Sequence, residues 1–500
     1  MTVTTSAVIG IDVGTSAVKT VAVAYNGRVL GSASVGFPLS SPRSGWAEQD
    51  PEDWWQATVQ ALRDLLQRLQ RDGTALDVTG IALTGQMHGL VLLDADGAVI
   101  RPAILWCDVR TADEARQLER EIGKDAIIRW TQNPPLPNFT LTKLMWVRSH
   151  EPEAYRRTQV ILNPKDYVRF RLTGTLCAEY SDASGTLLLD VEKRRWSSEL
   201  CKAVGVPEAW LPPLTESTDV VGRLTAEAAD AVGLPAGVPV VAGAGDQAAG
   251  AVGLGVHDPG VVSVIFGTSG VVLAPTDVPV RDAAGCLHTF CHGLPNRWFV
   301  MGVTQSAGGS LQWLRDRLFP DESYDSLMER AAGVSPGAEG LTFLPYLMGE
   351  RTPHLDPYAR GVWIGMDWRH GPGHLARSVI EGVAFSLYDA WRVMETLGVP
   401  ARVFRVSGGG ARSELWMRIF ASVLGRSLEV VHASHGPAFG AAVLAALGTG
   451  QTIDDAWWGG GTSVSPVKDW ETVYAKRHAL YAETYRRLRD LFPALADDAP

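Results

Sequence analysis

Residues 9–19 read IGIDVGTSAVK, and residues 261–276 read VVSVIFGTSGVVLAPT. Each is an apolar run, the tripeptide Gly-Thr-Ser, and a second apolar run. That pattern predicts a strand, a tight turn and a returning strand. The two copies lie about half of the 500-residue chain apart. A shared opening hairpin in each half predicts an internal duplication, two lobes built on one plan.

Outward from the first copy, Asn26-Gly27 signals a hairpin turn into a third strand over 28–35. Asp50 can cap a helix whose first position suits Pro51 and whose first turn carries Glu52 and Asp53. Trp54, Ala57, Ala61, Leu62, Leu65, Leu66 and Leu69 recur at helical spacing until Gly73. Strands are expected over 79–84, 90–93 and 103–106. Residues 108–235 alternate helical and irregular pieces. Outward from the second copy, VPVVAGAG (238–245) is a strand running into Asp246 and a small-residue helix. A strand over 403–406 meets Gly408-Gly409-Gly410, then an amphipathic helix over 413–424 and a strand over 428–431. A small-residue helix follows over 438–447. Beyond Gly450 the pattern gives polar loops and a final helix.

Composition narrows the class. With 46% hydrophobic and 20% charged residues the chain is globular rather than disordered. A net charge of −10 argues against a nucleic-acid partner. No run of about 20 apolar residues is free of polar interruption, which argues against a membrane span. The five cysteines are scattered. With no signal-like N-terminus beside them, a reducing, cytoplasmic setting is expected.

Several familiar sites are missing from the sequence: a G-x-x-x-x-G-K-[ST] loop, an H-E-x-x-H helix, a G-x-S-x-G elbow. Cys286, His288, Cys291 and His292 have a zinc-like density, but on a strand His288 and His292 would face away from Cys291. A half-buried strand is the expected reading. The two G-T-S turns can present backbone N–H groups and hydroxyls to an anion. Asp12, two residues before the first turn, would sit near that anion and calls for an intervening cation such as Mg²⁺, usually held through water. Asp246 is either a helix cap or a general base among glycines that let a substrate approach. The triglycine at 408–410 can lie flat against a ring. Gln86-Met87-His88-Gly89 lies between two strands and can line a polar pocket.

Together these blocks resemble the FGGY family of carbohydrate kinases, in the sugar-kinase/Hsp70/actin superfamily. The resemblance runs from about Ile9 to about Gly448. It includes IGIDVGTSAVK, WAEQDPEDWW, GQMHG, RPAILW, PKDYVRFRLTG, SDASGTLLLDV, PVVAGAGDQAAGAVG, FGTSGV, FLPYLMGERTP, SGGGARSELW and GPAFGAAVLA. It implies an α/β fold of two ribonuclease H-like lobes with a deep cleft between them. The implied division is a sugar-binding lobe over 1–247, an ATP-binding lobe over 248–450 and a helical tail over 451–500. ATP and Mg²⁺ are the implied cofactors, and a small sugar the partner, for a monomer or homodimer.

The implied activity is phosphorylation of D-xylulose in xylose catabolism. Another ketose or polyol, such as a pentitol, ribulose or glycerol, is the first alternative. An actin- or Hsp70-like ATPase is the second. By resemblance Asp246 is the catalytic base, and Asp12 the carboxylate at the Mg²⁺–phosphate centre, with Asp246 a second candidate for the metal. Met87, His88, Asp246 and Gln247 would contact the sugar. Gly14, Thr15, Ser16, Lys19, Gly267, Thr268, Ser269, Gly309, Gly408, Gly409 and Arg412 would hold ATP and its phosphates. Asn138, Thr142, Cys107, Val109 and Gln247 depart from the residues usual in the family. Asn138 stands at a glycine position, where its tolerance of left-handed backbone would preserve the turn.

Overall fold

The computed structural model describes residues 3–431 and 435–497. In the first half, β1 (Val3–Val13), β2 (Ala17–Ala24) and β3 (Val29–Gly36) form a meander. Helix α1 (Pro51–Arg71) starts where the sequence sets it, with the Asp50 carboxylate accepting from the Glu52 N–H at 2.9 Å. Then follow β4 (Thr74–Gly85), helices α2 (Pro164–Thr173) and α3 (Tyr180–Ser184), β5 (Val220–Arg223) and β6 (Pro239–Gly245). The sheet order is β5-β6-β4-β1-β2-β3, with β1, β4 and β6 parallel.

Helix α4 (Asp246–Gly253) leads into the second half. Its strands are β7 (Gly260–Phe266), β8 (Gly270–Thr276), β9 (His288–Cys291), β10 (Trp298–Thr304), β11 (Ala401–Ser407), β12 (Leu428–Val430) and β13 (Thr462–Val464). Its main helices are α5 (Gly308–Leu318), α6 (Tyr324–Ala332), α7 (Pro372–Thr396), α8 (Glu414–Leu424), α9 (Gly436–Gly448) and α10 (Lys468–Leu488). The sheet order is β9-β10-β8-β7-β11-β12-β13.

The two sheets share a plan. In each, an antiparallel three-strand meander adds two parallel strands and then an antiparallel edge: β3-β2-β1-β4-β6-β5 in one, β10-β8-β7-β11-β12-β13 in the other. Strand β9 is an extra edge on the second. The duplication seen in the G-T-S hairpins therefore extends through both sheets.

The halves are not cleanly separate. Helix α9, from late in the chain, packs on β1, β4 and α4 of the first half. Its small residues allow this. A Cβ on Gly10 of β1 would sit 1.9 Å from the Ala438 carbonyl oxygen.

Three local expectations change. Beyond Gly450 the chain also supplies β13, which closes one edge of the second sheet. The His288–Cys291 strand is buried on both faces rather than half-buried, with His288 stacked on Phe290 and Cys291 turned toward the Val191 carbonyl. Asn138 does not adopt a positive φ. Its carbonyl instead accepts from the buried Lys143 ammonium at 2.5 Å. Among the described residues no helix is long and apolar enough to cross a membrane.

Candidate active site

Strand register gathers the candidate residues. Val13 of β1 pairs with Gly85 of β4, and Gly85 pairs with Gly245 of β6. Three parallel strands thus end together. Asp12, Gln86-Met87-His88 and Asp246 emerge at one carboxyl edge, where ligands of open α/β sheets bind. In the second half Ile265 of β7 pairs with Ser407 of β11. This sets the Gly267-Thr268-Ser269 turn beside Gly408-Gly409-Gly410 at the equivalent edge.

Two cavities lie there, adjacent at Gly408 and Gly409. One of about 500 Å³ lies between the halves and is lined by Asp246, Gln247, Ser407, Gly408, His435 and Trp458, among others. The second, of about 880 Å³, is lined by Gly267, Thr268, Gly308, Gly409, Arg412 and the α6 residues Met328 and Glu329. Consecutive residues Gly408 and Gly409 face the two spaces. Gly309 donates its N–H to the Thr268 carbonyl at 3.0 Å, so it braces the second G-T-S turn, while Gly308 lines the cavity.

The first G-T-S turn is held from outside. The Gly14 N–H donates to the Ala17 carbonyl at 3.1 Å. Thr15 Oγ1 donates to Gln86 Oε1 at 3.2 Å and accepts from the Trp106 indole N–H at 3.0 Å. Gln49 Nε2 donates to the Thr15 carbonyl at 2.7 Å, and Gln49 Oε1 accepts from Gln86 and Trp54. The Thr15 hydroxyl is thereby occupied in fixing the turn. Ser16 sits on the same turn, its carbonyl accepting from the Phe37 N–H at 3.3 Å. Lys19 is paired across the hairpin with Asp12.

Charge concentrates on two carboxylates. Burial, and then the field of Asp246, pushes Asp12 up to about 7, against the pull of Lys19. Burial raises Asp246 to about 6, against hydrogen bonds from Gln247. Asp12 Oδ1 makes no hydrogen bond. A buried, unpartnered carboxylate oxygen in the field of a second carboxylate fits a hard divalent cation that keeps most of its own water.

On the other side of this edge, Met87 packs under Gly245. His88 has φ 68°, a costly conformation for a side chain other than glycine, which marks a position fixed by its surroundings. Its Nδ1 lies 2.6 Å from the Gly185 carbonyl. Only a protonated Nδ1 can donate there, so Nε2 is left as an acceptor. Burial, opposed by that hydrogen bond and aided by Lys143 and Arg351, lowers His88 to about 3 and keeps it neutral. Phe139 and Phe290 flank the ring at 5.1 and 6.0 Å.

Trp106 and Gln49 belong to this arrangement without having been singled out as site residues, and Gln86, read only as part of a polar pocket, holds the turn. The signal for the first two lay in the blocks RPAILW and WAEQD, but nothing local in those residues gave their partners.

A duplicated two-sheet architecture with a glycine turn from each half at the shared edge defines a two-lobed nucleotide-using class, and the family models place the chain within it. The N-terminal domain model of the FGGY family of carbohydrate kinases matches residues 7–253, and the C-terminal domain model matches 262–449. The chain belongs to that family. It is 43% identical over 443 residues to the xylulose kinase of Bacillus subtilis (strain 168), covering 89% of this chain and 88% of that protein. It is 40% identical over 495 residues to the xylulose kinase of Escherichia coli (strain K12), covering 98% and 100%. The crystal structure of xylulose kinase from Rhodospirillum rubrum superposes with a TM-score of 0.92 at 32% identity, over 97% of this chain and 99% of that one.

Proposed function

We propose that this protein transfers the γ-phosphoryl group of ATP to D-xylulose, giving D-xylulose 5-phosphate and ADP. The observation that carries the reading is the position of Asp246, at the shared carboxyl edge of three strands and on the lining of the cavity between the two halves. The two relatives above, matched over 88% and 100% of their own length and named for xylulose, support the choice of sugar.

In this reading Asp246 accepts the proton of the attacking sugar hydroxyl. A loose phosphoryl-transfer transition state asks for alignment and charge neutralisation more than for a strong base. Met87 and His88 seat the sugar, with His88 Nε2 accepting from one of its hydroxyls, and Gln247 completes the seat. Backbone N–H groups of the turns Gly14-Thr15-Ser16 and Gly267-Thr268-Ser269 cradle phosphates from the two lobes, with Lys19 nearby. Gly408, Gly409 and Arg412 line the nucleoside end, and Gly309 holds the second turn in place. Asp12, with Asp246 in reach, would hold Mg²⁺ through water, and when bound the ion offsets charge on the phosphates. The division of labour places sugar on residues 1–247 and nucleotide on 248–450, with the chain beyond 450 packed on both lobes: Trp457 lies against Gly27 of the first half, and Thr462–Val464 pairs into the second sheet. Closure of the lobes excludes water, the competing nucleophile.

A turnover screen across D-xylulose, D-ribulose, pentitols, glycerol and gluconate tests the reading. D-xylulose should give the highest kcat/KM. A higher value for any other alcohol would replace it as substrate, and ATP hydrolysis indifferent to all of them would remove the kinase reading.

A further inference from the structure

The catalytic carboxylate and the sugar histidine belong to different segments of chain, 158 positions apart by number, yet both are held by one short turn. Residues 179–185 pass beneath the carboxyl edge of β4 and β6, with α3 at their centre. At one end of the turn, the Gly245 N–H donates to Ser181 Oγ at 3.0 Å. Gly245 is the last residue of β6 and immediately precedes Asp246. At the other end, the Gly185 carbonyl accepts from His88 at 2.6 Å.

The turn itself is clamped. Ser181 Oγ–H donates to Glu179 Oε1 at 2.9 Å, which leaves the hydroxyl oxygen free to accept from Gly245. Glu179 also accepts from the Ser181 and Asp182 N–H groups at 2.7 and 2.8 Å and from the Ser217 hydroxyl at 2.8 Å. Lys165 of α2 reaches Asp166 at 2.6 Å, and Glu179 and Asp182 at 3.3 Å each. Ser181, Glu179, Asp182 and Lys165 are all fully buried. A buried cluster of charges is costly as a source of stability, and removing one member leaves the others uncompensated. Glu179 and Ser181 are fully hydrogen-bonded within it, and that satisfied part fixes the turn as a support for a reacting group requires.

We propose that Ser181 is a positioning residue for Asp246, and that the turn over 179–185 sets the base and His88 against each other. This rests on the kinase reading above and deepens it. Ser181 does not touch substrate. It fixes the last peptide of β6, and so the origin of the side chain that follows. A displacement of about 1 Å at a reacting group costs on the order of a hundredfold in rate. The proposal thus predicts a loss in kcat with little change in ligand affinity, because the sugar and nucleotide walls remain in place.

The test is steady-state kinetics and calorimetric sugar binding on Ser181→Ala and Ser181→Thr, with the wild-type protein alongside. Ser181→Ala should lower kcat fivefold or more while the sugar dissociation constant stays within threefold. Ser181→Thr keeps the accepting oxygen and should lie closer to wild type than the alanine variant. If the alanine variant does not fold, the near-isosteric Ser181→Cys, a weak acceptor, takes its place under the same criterion. A folded variant lacking the hydroxyl with kcat within fivefold of wild type would overturn the proposal. So would a threonine variant slower than the alanine one, or a loss expressed as weaker sugar binding at unchanged kcat. Failure of the substrate reading would appear in the wild-type protein itself. The Ser181 ratios are then taken on whichever alcohol the substrate screen identifies.

Discussion

Gly440 of α9 lies so close to Ala249 of α4 that a Cβ at position 440 would sit 1.7 Å from the Ala249 carbonyl oxygen. The two helices touch backbone to backbone, one beginning at Asp246 and the other entered from the cavity lining at His435 and Gly436. This contact ties late chain to the helix that follows the first sheet, directly beside the candidate site.

Two glycines give opposite expectations. Gly440→Ala must push α9 from α4 and should destabilise the fold by at least about 1–3 kcal/mol, the usual range for overpacking. Gly409 has open space where its Cβ would go and lines the larger cavity. Gly409→Ala should leave the urea midpoint unchanged and raise the KM for ATP several-fold more than that for sugar. Chemical denaturation and kinetics on both variants read this directly. A destabilised Gly409→Ala with unaltered ATP KM would reverse the assignment.

The paired carboxylates make stability depend on pH in a fixed direction. Asp12 is raised from 3.8 to about 7, so between those values the folded protein holds a proton that the unfolded chain releases. That contribution is fully present below about pH 4 and is lost as pH rises through about 7. Asp12→Asn should remove the Asp12 share of this slope, leaving that of Asp246 between about pH 4 and about 6, and be the more stable protein at pH 8 in the absence of divalent ions. Mg²⁺ binds the ionised form, so it should raise the wild-type Tm more at pH 8 than at pH 5, and should scarcely raise that of the variant. Melting curves at the two pH values, with and without Mg²⁺, check both signs.

His88 is lowered to about 3 and stays neutral at working pH. His88→Ala should raise the sugar KM at least tenfold and the ATP KM by less than threefold. In the wild-type protein sugar affinity, measured by calorimetry, should show no step near pH 6.5, the ordinary range of histidine. A step there that disappears in His88→Ala would mean the ring titrates in contact with sugar.

Much of this was readable from local residues. The Asp50-Pro51 start of α1, the two G-T-S hairpins and the strand leading to Asp246 are decided within a few positions, by capping, turn chemistry and alternation. What escaped depends on long separations. The helix at Gly436–Gly448 reads as a small-residue helix, but its composition does not name the sheet it packs on. Thr462–Val464 is too short and polar to announce an edge strand, and pairing with Leu428–Val430 makes it one. Lys165, Glu179 and Ser181 are polar residues whose sequence neighbours suggest surface. Their burial rests on the Lys165–Glu179 ion pair and on the hydrogen bonds of Ser181 to Glu179 and Gly245, which form only when the turn is folded under β6.

Phosphoryl transfer by Asp246→Asn, followed by ³¹P NMR with ATP, Mg²⁺ and D-xylulose, tests the central assignment most directly. Loss of the proton acceptor should reduce transfer by roughly 10²–10⁴-fold, the range for a general base, while calorimetry still detects sugar and nucleotide. A folded variant that produces D-xylulose 5-phosphate at a rate near wild type would contradict the account.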